Sequence, residues 1–375
     1  MKIILFTYRS QNPPSTFIKQ HIDYIAGGYE NFMQLYDWKT PMLGHKPLWS
    51  GKIFSRVKRK ILVKIGRSRE DLHRQAFKKG LRKSKADAVL AEFGYSGAFI
   101  WGVCKELNIP LTVHFHGTEI NRKELFKKYI SDYKLMFKHV NALITVSSHE
   151  KKKLIDIGAD RSKIKVIPCG ALFPSEYNNR KPSGEICNII TVTRMVEVKS
   201  PHLTILAFQK YLKMGGKGML HVVGDGPLLP VCKSLAKALS VDNNIIFYGR
   251  LTHENTLPLY RQSDMYIQHS VEAEDGDCEG MPVTIMEAAG YGLPIVTTAA
   301  GGITEYIEHE KTGYIVEQYD IDSMAKYMLK IWSNKDQSEK LGKAAFDLAR
   351  DRFNAGKQSE KVKKVVLSTL YVIYP

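Results

Sequence analysis

Two glutamates, Glu279 and Glu287, stand eight positions apart in the segment EGMPVTIME. Pro282 lies between them and is typical of the first turn of a helix, so Glu279 is expected at a helix N-terminus and Glu287 along that helix. Free N–H groups and the helix dipole favour a diphosphate there, and a carboxylate further along can accept both ribose hydroxyl protons. The spacing favours a nucleotide-sugar site, although glutamate pairs on helices are more often solvated surface.

Two cations, Arg194 and Lys199, follow the apolar run NIITVT. Arginine holds a phosphate with a planar fork of N–H groups and lysine holds it as a point charge. Placed beside a helix start, the two side chains could bind a diphosphate without a metal. The alternative is that both charges are solvated in a connecting loop.

Two glycines, Gly224 and Gly226, end the run HVVGDGPLL. They permit either the close approach of a ligand or a tight turn from strand to helix. Leu229 occupies the third glycine position of a dinucleotide-binding fingerprint, which disfavours an oxidoreductase. After the run IIFYG, the main-chain groups of Arg250 and Leu251 could face a base.

The segment HFHGTE brings His114, His116 and Glu119 to the end of another apolar run. The two histidines point to the same face of a strand. No further His or Cys cluster lies near them in the sequence, so a metal is not expected there. A calcium loop starting at Asp275 would need a glutamate at its twelfth position, where Met286 stands.

Strand-like apolar runs alternate with helical stretches in both halves of the chain. The predicted strands are KIILFTY, AVLAEF, LTVHFH, ALITVS and KIKVIP, then NIITVTR, MLHVVG, IIFYGR, MYIQHS and PIVTTA. This alternation predicts an α/β protein with two Rossmann-like, doubly wound parallel sheets. Polar loops after the strands are the expected binding sites.

The predicted domains are residues 1–175 and 176–355, with the boundary in the Pro- and Asn-rich segment CGALFPSEYNNRKPSGE. Residues 356–375 are expected to form a last helix that packs back on the first domain. Its apolar face consists of Val362, Val365, Val366 and Leu370.

The net charge of +17 is concentrated in the first half of the 375 residues. Residues 1–175 hold 32 Lys and Arg against 14 Asp and Glu, and residues 52–85 alone hold 14 basic residues against Glu70 and Asp71. The segment shows Phe54, Val57, Ile61 and Ile65 at helical spacing. This pattern favours a basic amphipathic helix on an anionic membrane surface, with a core-facing helix as the alternative.

Other bulk features narrow the class of protein. No run of 18 apolar residues occurs, and the apolar stretch near the N-terminus is too short for a signal peptide. Five scattered cysteines without C-x-x-C spacing indicate a reducing cytoplasm. The basic segment has few aromatic residues and no nucleic-acid-reading motif accompanies it, so a nucleic-acid-binding protein is the weaker interpretation.

The chain resembles the retaining family-4 glycosyltransferases of the GT-B fold, and most closely their bacterial exopolysaccharide and colanic-acid branch. The motifs that carry the resemblance are HFHG, TRMVEVK, VVGDGP, YRQSDMYIQHS and EGMPVTIMEAAGYGLPIVTTAAGGITEYI. They occur in the family's order. The resemblance implies two Rossmann-like domains that face each other across a cleft, with the acceptor bound by the first and a nucleotide sugar by the second.

The resemblance also implies roles for particular residues. Glu287 would bind the ribose, Arg194 and Lys199 the diphosphate, and Glu279 the donor sugar or, alternatively, act as a nucleophile. His116 would lie at the donor sugar near the reacting carbon. The backbone after Glu279 would contact the donor, together with the remaining predicted contacts: Gly224, Arg250, Leu251, Gly280, Met281, Pro282 and Val283.

The reaction implied is transfer with retention from a nucleotide sugar, expected to be a UDP-linked hexose or N-acetylhexosamine, to a lipid-linked or glycan acceptor, without a metal or other cofactor. A polyprenyl-diphosphate-linked acceptor would place the protein at the inner face of the membrane, held through residues 52–85. A nucleotide-sugar epimerase on the same fold is the alternative enzyme.

The sequence departs from the family pattern at two places. The first loop, YRSQNPPSTFIKQ, lacks the glycine pair that many relatives place beneath the diphosphate, and its PSTFI segment resembles the exopolysaccharide branch. Ser200 stands where a glycine usually follows the lysine. Both departures concern loop geometry around the site.

Overall fold

The structure, a computed structural model, describes residues 1–8, 15–37, 39–49, 53–177 and 184–371, without the side chains of residues 53–56, 58 and 59. The chain forms two compact units, Met1–Pro168 with Gly356–Pro375, and Cys169–Ala355. The unit boundary therefore precedes the predicted residue 175. The reason is local, because Ala171 pairs with the end of the second unit through hydrogen bonds to Phe353 and Ala355.

The strands run in the following chain order: β1 Ile3–Thr7, β2 Phe32–Tyr36, β3 Thr40–Leu43, β4 Lys46–Pro47, β5 Ala88–Glu92, β6 Leu111–Phe115, β7 Ala142–Thr145, β8 Ile164–Val166, β9 Cys187–Val192, β10 Gly218–Val223, β11 Ile245–Gly249, β12 Met265–Gln268, β13 Ile295–Thr298 and β14 Tyr314–Val316. All ten predicted strands are present. The sequence analysis missed β2, β3, β4 and β14.

The helices run in the following chain order: α1 Thr16–His21, α2 Ile53–Lys64, α3 Arg69–Ser84, α4 Gly94–Leu107, α5 Thr118–Asn121, α6 Lys123–Phe137, α7 Ser148–Asp156, α8 Pro201–Lys213, α9 Leu229–Ala238, α10 His253–Gln262, α11 Val283–Gly290, α12 Ile321–Ser333, α13 Lys335–Arg352 and α14 Ala355–Ser368. In the part of the chain that the structure describes, no helix combines the length and apolar character that a membrane span requires.

The first unit is built on a sheet with the strand order β4-β3-β2-β1-β5-β6-β7-β8. Strands β1, β2 and β5–β8 are parallel, and β3 and β4 add an antiparallel edge. The central strands are buried on both faces, as expected for a sheet covered by helices. Helix α14 belongs to this unit, where Val362 and Val366 pack in the same apolar cluster as Ile3 and Leu5.

The second unit has a fully parallel sheet with the order β11-β10-β9-β12-β13-β14. Counted from β9 in chain order, this is the 3-2-1-4-5-6 order of the Rossmann fold. The order reverses between β9 and β12, so loops that follow these two strands diverge and leave a crevice at the carboxyl edge. Ligands of open α/β sheets bind at that place.

Candidate functional site

A buried ion pair lies at the carboxyl edge of the second sheet. Lys199 Nζ lies 2.6 and 2.8 Å from the Oε1 and Oε2 atoms of Glu279. The two side chains are only 12% and 7% exposed. Lys199 follows β9 and Glu279 follows β12, so the pair joins the two loops that flank the reversal of strand order.

Neighbouring side chains fix the position of the Glu279 carboxylate. Its Oε1 atom also accepts hydrogen bonds from Ser270 Oγ at 2.7 Å and from Gln268 Nε2 at 3.1 Å. The Tyr266 hydroxyl donates to Gln268 Oε1 at 2.8 Å, which turns the amide nitrogen towards Glu279. Three donors therefore converge on one carboxylate oxygen, and each is held by strand β12 or the loops beside it.

The backbone around Glu279 leads directly into helix α11. The Gly302 N–H donates to the Glu279 carbonyl at 2.7 Å. Gly301 has a φ of +55°, and a Cβ atom there would lie 2.1 Å from the same carbonyl oxygen, so this position requires glycine. Gly280, Met281 and Pro282 follow, and the side chain of the N-cap residue Pro282 makes no capping hydrogen bond.

Helix α11 therefore starts without a side-chain cap. The first N–H groups of a helix have no partner within it, and the helix dipole adds positive potential at that end. Val283 is the first residue of α11, as the sequence analysis expected from Pro282. This helix start and the Lys199 ammonium both flank Glu279, so the edge of the sheet is suited to an anion.

Glu287 lies inside α11 and is 4% exposed. The Tyr260 hydroxyl donates to its Oε2 atom at 3.2 Å, and His253 Nδ1 lies 3.5 Å from its Oε1 atom. Burial raises the pKa of Glu287 to about 8, although the hydrogen bond from Tyr260 opposes the shift. This carboxyl group therefore carries a proton across much of the neutral range when no ligand is bound.

The sequence analysis missed His253. This residue begins α10, two positions after Leu251, and Thr252 caps the helix by accepting a hydrogen bond from the Asn255 N–H. The capping threonine predicts the helix start at His253. The contact with Glu287 is 34 positions distant in sequence, so no local pattern indicates it.

Arg194 has the exposure that a ligand-binding cation needs. Its side chain is exposed, and within the described ranges its guanidinium makes no hydrogen bond or ion pair with the protein. Arg194 follows β9, and the 3-10 turn that ends at Lys199 lies shortly after it. Ser200 follows with a φ of +34°, the left-handed region where relatives favour glycine, and its hydroxyl donates to the Glu197 carbonyl at 2.7 Å.

Gly224 has a structural reason that is independent of any ligand. Its φ is +137°, and a Cβ atom there would lie 1.8 Å from the Thr193 carbonyl oxygen. A Cβ at Gly226 would lie 2.6 Å from the Met195 carbonyl oxygen. Both glycines let the loop after β10 pass close to the loop after β9, so their presence does not require a bound ligand.

Arg250 and Leu251 follow β11 at the same edge of the sheet. Arg250 is exposed and Leu251 is half-buried. Strand β11 is the last strand on its side of the sheet. These residues and the predicted contacts after β9, β10 and β12 therefore all follow the carboxyl ends of strands in one unit.

His116 belongs to the first unit, where it forms part of a buried cluster around Glu92. His116 Nε2 and His21 Nδ1 each lie 2.7 Å from a different oxygen of this carboxylate. His114 Nδ1 lies 3.6 Å from Glu92 Oε2. Burial raises the pKa of Glu92, but the neighbouring imidazoles, led by His21, outweigh burial and hold the pKa below its ordinary value.

The premise used against a metal at His114 is wrong in three dimensions. His21 comes from α1 and Glu92 from the end of β5, so neither was near in sequence. The potential ligand atoms of His21, Glu92 and His114 lie within 4.8 Å of one another. Strand pairing could have indicated Glu92, because it lies opposite His114 in the register of β5 and β6.

Glu119 supports the backbone of the same loop. Its Oε1 atom accepts hydrogen bonds from the His116 N–H at 2.9 Å and from the Gly94 N–H at 3.2 Å. The side chain is fully buried, and burial raises its pKa. Glu119 therefore ties together the loops after β5 and β6 and has no access to a ligand.

Helix α2 carries the apolar residues of the predicted amphipathic segment on an exposed surface. Val57, Ile61 and Ile65 are 46, 52 and 71% exposed. The side chain of Phe54 and residues 9–14 of the first loop lie outside the described residues. These exposures contradict the alternative in which this face packs into the core.

Two family models match the chain in succession. The model described as Glycosyltransferase Family 4 matches residues 46–171, and the model described as Glycosyl transferases group 1 matches residues 179–347. The two matches fall on the first and the second unit. The class is thus a glycosyltransferase with the GT-B fold, in which two Rossmann-like units share one chain.

Curated relatives agree with the family models. The chain is 30% identical over 252 residues to the amylovoran biosynthesis glycosyltransferase AmsK of Erwinia amylovora, which covers 66% of this chain and 61% of the relative. It is 27% identical over 260 residues to the putative colanic acid biosynthesis glycosyltransferase WcaL of Escherichia coli K12, covering 68% and 63%. The matched part thus spans less than two thirds of either relative.

Solved structures share the fold at low sequence identity. Anabaena Alr3699/HepE in complex with UDP superposes with a TM-score of 0.75 at 16% identity and covers 98% of this chain and 100% of that one. Sucrose-phosphate synthase from Thermosynechococcus elongatus superposes with a TM-score of 0.77 at 15% identity, covering 99% and 100%. The chain belongs to the family-4 glycosyltransferases, in the group that resembles the exopolysaccharide enzymes.

Proposed function

We propose that this protein transfers a sugar from a nucleotide-sugar donor to a glycan acceptor in the assembly of a surface polysaccharide. The observation that carries the proposal is the buried Lys199–Glu279 pair at the strand-order reversal, with Arg194 and Glu287 on neighbouring elements. The printed names of the relatives, which refer to amylovoran and colanic acid biosynthesis, support the polysaccharide.

The donor would bind at the carboxyl edge of the second sheet. Arg194 and Lys199 would bind the diphosphate, and the start of α11 from Gly280 to Val283 would add N–H donors and the helix dipole. Glu287 would accept the ribose hydroxyls. The loops after β10 and β11, with Gly224, Arg250 and Leu251, would contact the nucleoside.

The donor would be a UDP-linked hexose or N-acetylhexosamine. Its support is the fold shared with a UDP-bound structure, so the base is tested by experiment. Thermal shifts measured with UDP and GDP sugars would rank the donors, and slow hydrolysis would show which one reacts. A uracil preference requires that UDP sugars raise the melting temperature more than GDP sugars with the same sugar.

Glu279 would act by holding Lys199 and not as a nucleophile. Its Oε1 atom already accepts from Lys199, Ser270 and Gln268, and Oε2 accepts from Lys199. Hydrogen bonds and a paired cation stabilise the carboxylate and lower its tendency to attack a carbon. The ammonium is in turn kept in place to stabilise charge that develops on a leaving diphosphate.

Transfer would then proceed with retention through attack on the same face from which the diphosphate leaves, and it would give an α-linkage from an α-linked donor. The anomeric proton coupling of the product, measured by NMR, tests the linkage. Intact mass spectrometry of the enzyme with donor alone tests the role of Glu279. A covalent sugar on Glu279 would overturn that role without overturning the transferase function.

The reaction would need no metal or other cofactor, because two cations and a helix N-terminus supply the positive charge. The test is turnover after exhaustive treatment with EDTA, with and without added Mg²⁺ or Mn²⁺. Equal rates in all three conditions support the proposal. A rate that disappears with EDTA and returns with the metal contradicts it.

The protein would act in the cytoplasm as a peripheral protein at the inner face of the membrane, on a polyprenyl-diphosphate-linked acceptor. Helix α2 presents Val57, Ile61 and Ile65 to solvent within the segment 52–85 that holds 14 basic residues. Each Lys or Arg near an anionic bilayer contributes about 1 kcal/mol. Exposed apolar residues among such charges are typical of a helix that lies in the headgroup region.

Sedimentation with liposomes tests the membrane surface. The triple substitution Val57→Ser, Ile61→Ser and Ile65→Ser is expected to reduce binding to vesicles rich in phosphatidylglycerol. The matched control replaces three exposed apolar residues of the second unit by serine: Ile186, Val231 and Ile246. Equal binding by both triple variants, or indifference of the wild type to anionic lipid, would contradict this role of α2.

A further inference from the structure

The cluster around Glu92 is the largest group of buried titratable side chains in the first unit that the proposed donor site leaves without a role. Glu92 and His114 have no exposed surface, and the side chains of His21 and His116 are 2% and 7% exposed. A side chain as deeply buried as Glu92 cannot itself contact a substrate. Any effect of Glu92 on a reaction must therefore act through another residue.

The chemistry of the carboxylate determines which nitrogen atoms carry hydrogen. An ionised carboxylate only accepts hydrogen bonds, so both imidazole nitrogens at 2.7 Å must be donors. His116 is thereby held with its proton on Nε2, and His21 with its proton on Nδ1. The Nδ1 atom of His116 then lies on the side of the ring away from Glu92.

The ring of His116 is also held in place by its neighbours. Its centroid lies 4.4 Å from that of Phe17, 4.9 Å from that of Phe93 and 4.2 Å from that of His114. These contacts limit rotation of the ring, and the Glu119 carboxylate anchors the His116 backbone. Orientation and tautomer are consequently both fixed before any ligand binds.

We propose that Glu92 is a positioning residue that holds His116 in the Nε2–H tautomer and turns Nδ1 towards the donor sugar. His21 is the second arm of the device, because it fixes the other carboxylate oxygen from α1. The inference rests on the proposed function, since it gives His116 its place at the donor sugar. The tautomer itself follows from geometry alone.

A divalent metal is the competing occupant of this cluster, and it requires the opposite protonation. A metal would bind the lone pairs of the imidazole nitrogens that face Glu92, whereas the hydrogen bonds need N–H groups there. Ligand atoms on a tetrahedral zinc ion lie about 3.3 Å apart, as its bond lengths require. The two 2.7 Å contacts are shorter and have the length of charge-assisted hydrogen bonds.

The first experiment is NMR of the full chain with ¹⁵N-labelled imidazoles, together with its zinc content. The His116 signals are assigned by their loss in His116→Gln. The expected spectrum shows the Nε2–H tautomer of His116 in the wild type without any donor. The Nδ1–H tautomer, or one bound zinc per chain, would overturn the proposal.

The second experiment compares Glu92→Gln with Glu92→Asp in donor turnover. Glutamine offers one acceptor and one donor, so one of the two histidines must change its tautomer or lose its hydrogen bond. The expected loss in kcat is about a hundredfold or more, because a wrong histidine tautomer is costly in catalysis, with a much smaller change in donor KM. Aspartate keeps two acceptors and is expected to restore part of kcat.

The matched control is Glu150→Gln, which removes another fully buried carboxylate of the same unit, one that accepts from the Val146 N–H. This control is expected to retain turnover. If Glu92→Gln turns over as Glu150→Gln does, the proposal is overturned. If the wild type turns over no nucleotide sugar, the proposed function fails, and the tautomer measured by NMR still decides the role of Glu92 towards His116.

Discussion

Substitution of Glu287 by glutamine is expected to stabilise the protein at neutral and alkaline pH while it removes nucleotide binding. Burial raises the pKa of Glu287 from 4.5 to about 8 in the folded chain. Between these values the folded state keeps a proton that the unfolded state has lost. The stability of the wild type therefore falls as the pH rises from 4.5 to 8 because of this group.

The magnitude follows from the two pKa values. At about 1.4 kcal/mol for each pH unit, the interval from 4.5 to about 8 corresponds to a penalty of up to about 5 kcal/mol above pH 8. Glutamine does not titrate and its amide oxygen can still accept from Tyr260. The difference in free energy of unfolding between Glu287→Gln and the wild type is thus expected to grow across this interval.

Urea denaturation at pH 5, 6, 7 and 8 measures this difference. The exposed Glu185 supplies a control, since Glu185→Gln in the same unit carries the general effect of removing a glutamate. The wild type is expected to lose stability relative to Glu287→Gln as the pH rises, and relative to Glu185→Gln as well. A difference that stays constant from pH 5 to pH 8 would refute the reasoning about Glu287.

Three further predictions concern the same unit. Ribose hydroxyls that donate to Glu287 favour its ionised form, so calorimetry should show nucleotide affinity rising up to about tenfold for each pH unit below 8, with proton release; a flat profile contradicts this. Arg194→Ala should lower turnover by about 10²–10³ with an unchanged melting temperature, whereas Lys199→Ala should lower both, because Glu279 stays buried without its cation. Gly224→Ala should lower the melting temperature, since its Cβ would lie 1.8 Å from a carbonyl oxygen; wild-type melting would show that the two loops separate easily.

The ten strands predicted from the sequence are all present because each is a short apolar run buried in the middle of a parallel sheet. The missed strands are edge elements: β3 and β4 form an antiparallel margin, and β14 has three residues. Edge strands have fewer buried positions and therefore a weaker apolar pattern. The start of α11 was predictable because Pro282 marks it locally.

The site was predictable where strand ends bring residues together, and it was not where the contact is distant in sequence. Lys199 and Glu279 follow adjacent strands, so their loops had to meet. His21 and His253 approach Glu92 and Glu287 from other helices, and no spacing rule relates such positions. The buried state of Glu287, which sets its pKa, likewise depends on packing that the sequence pattern does not show.

The most direct test of the central claim is the release of nucleoside diphosphate from a panel of nucleotide sugars, with a membrane extract that contains lipid-linked glycans as acceptor. The account predicts that one donor is consumed, that sugar appears on the acceptor in an α-linkage, and that Arg194→Ala abolishes most of the release. Conversion of the donor to an isomer without acceptor, or release that Arg194→Ala leaves unchanged, would contradict it.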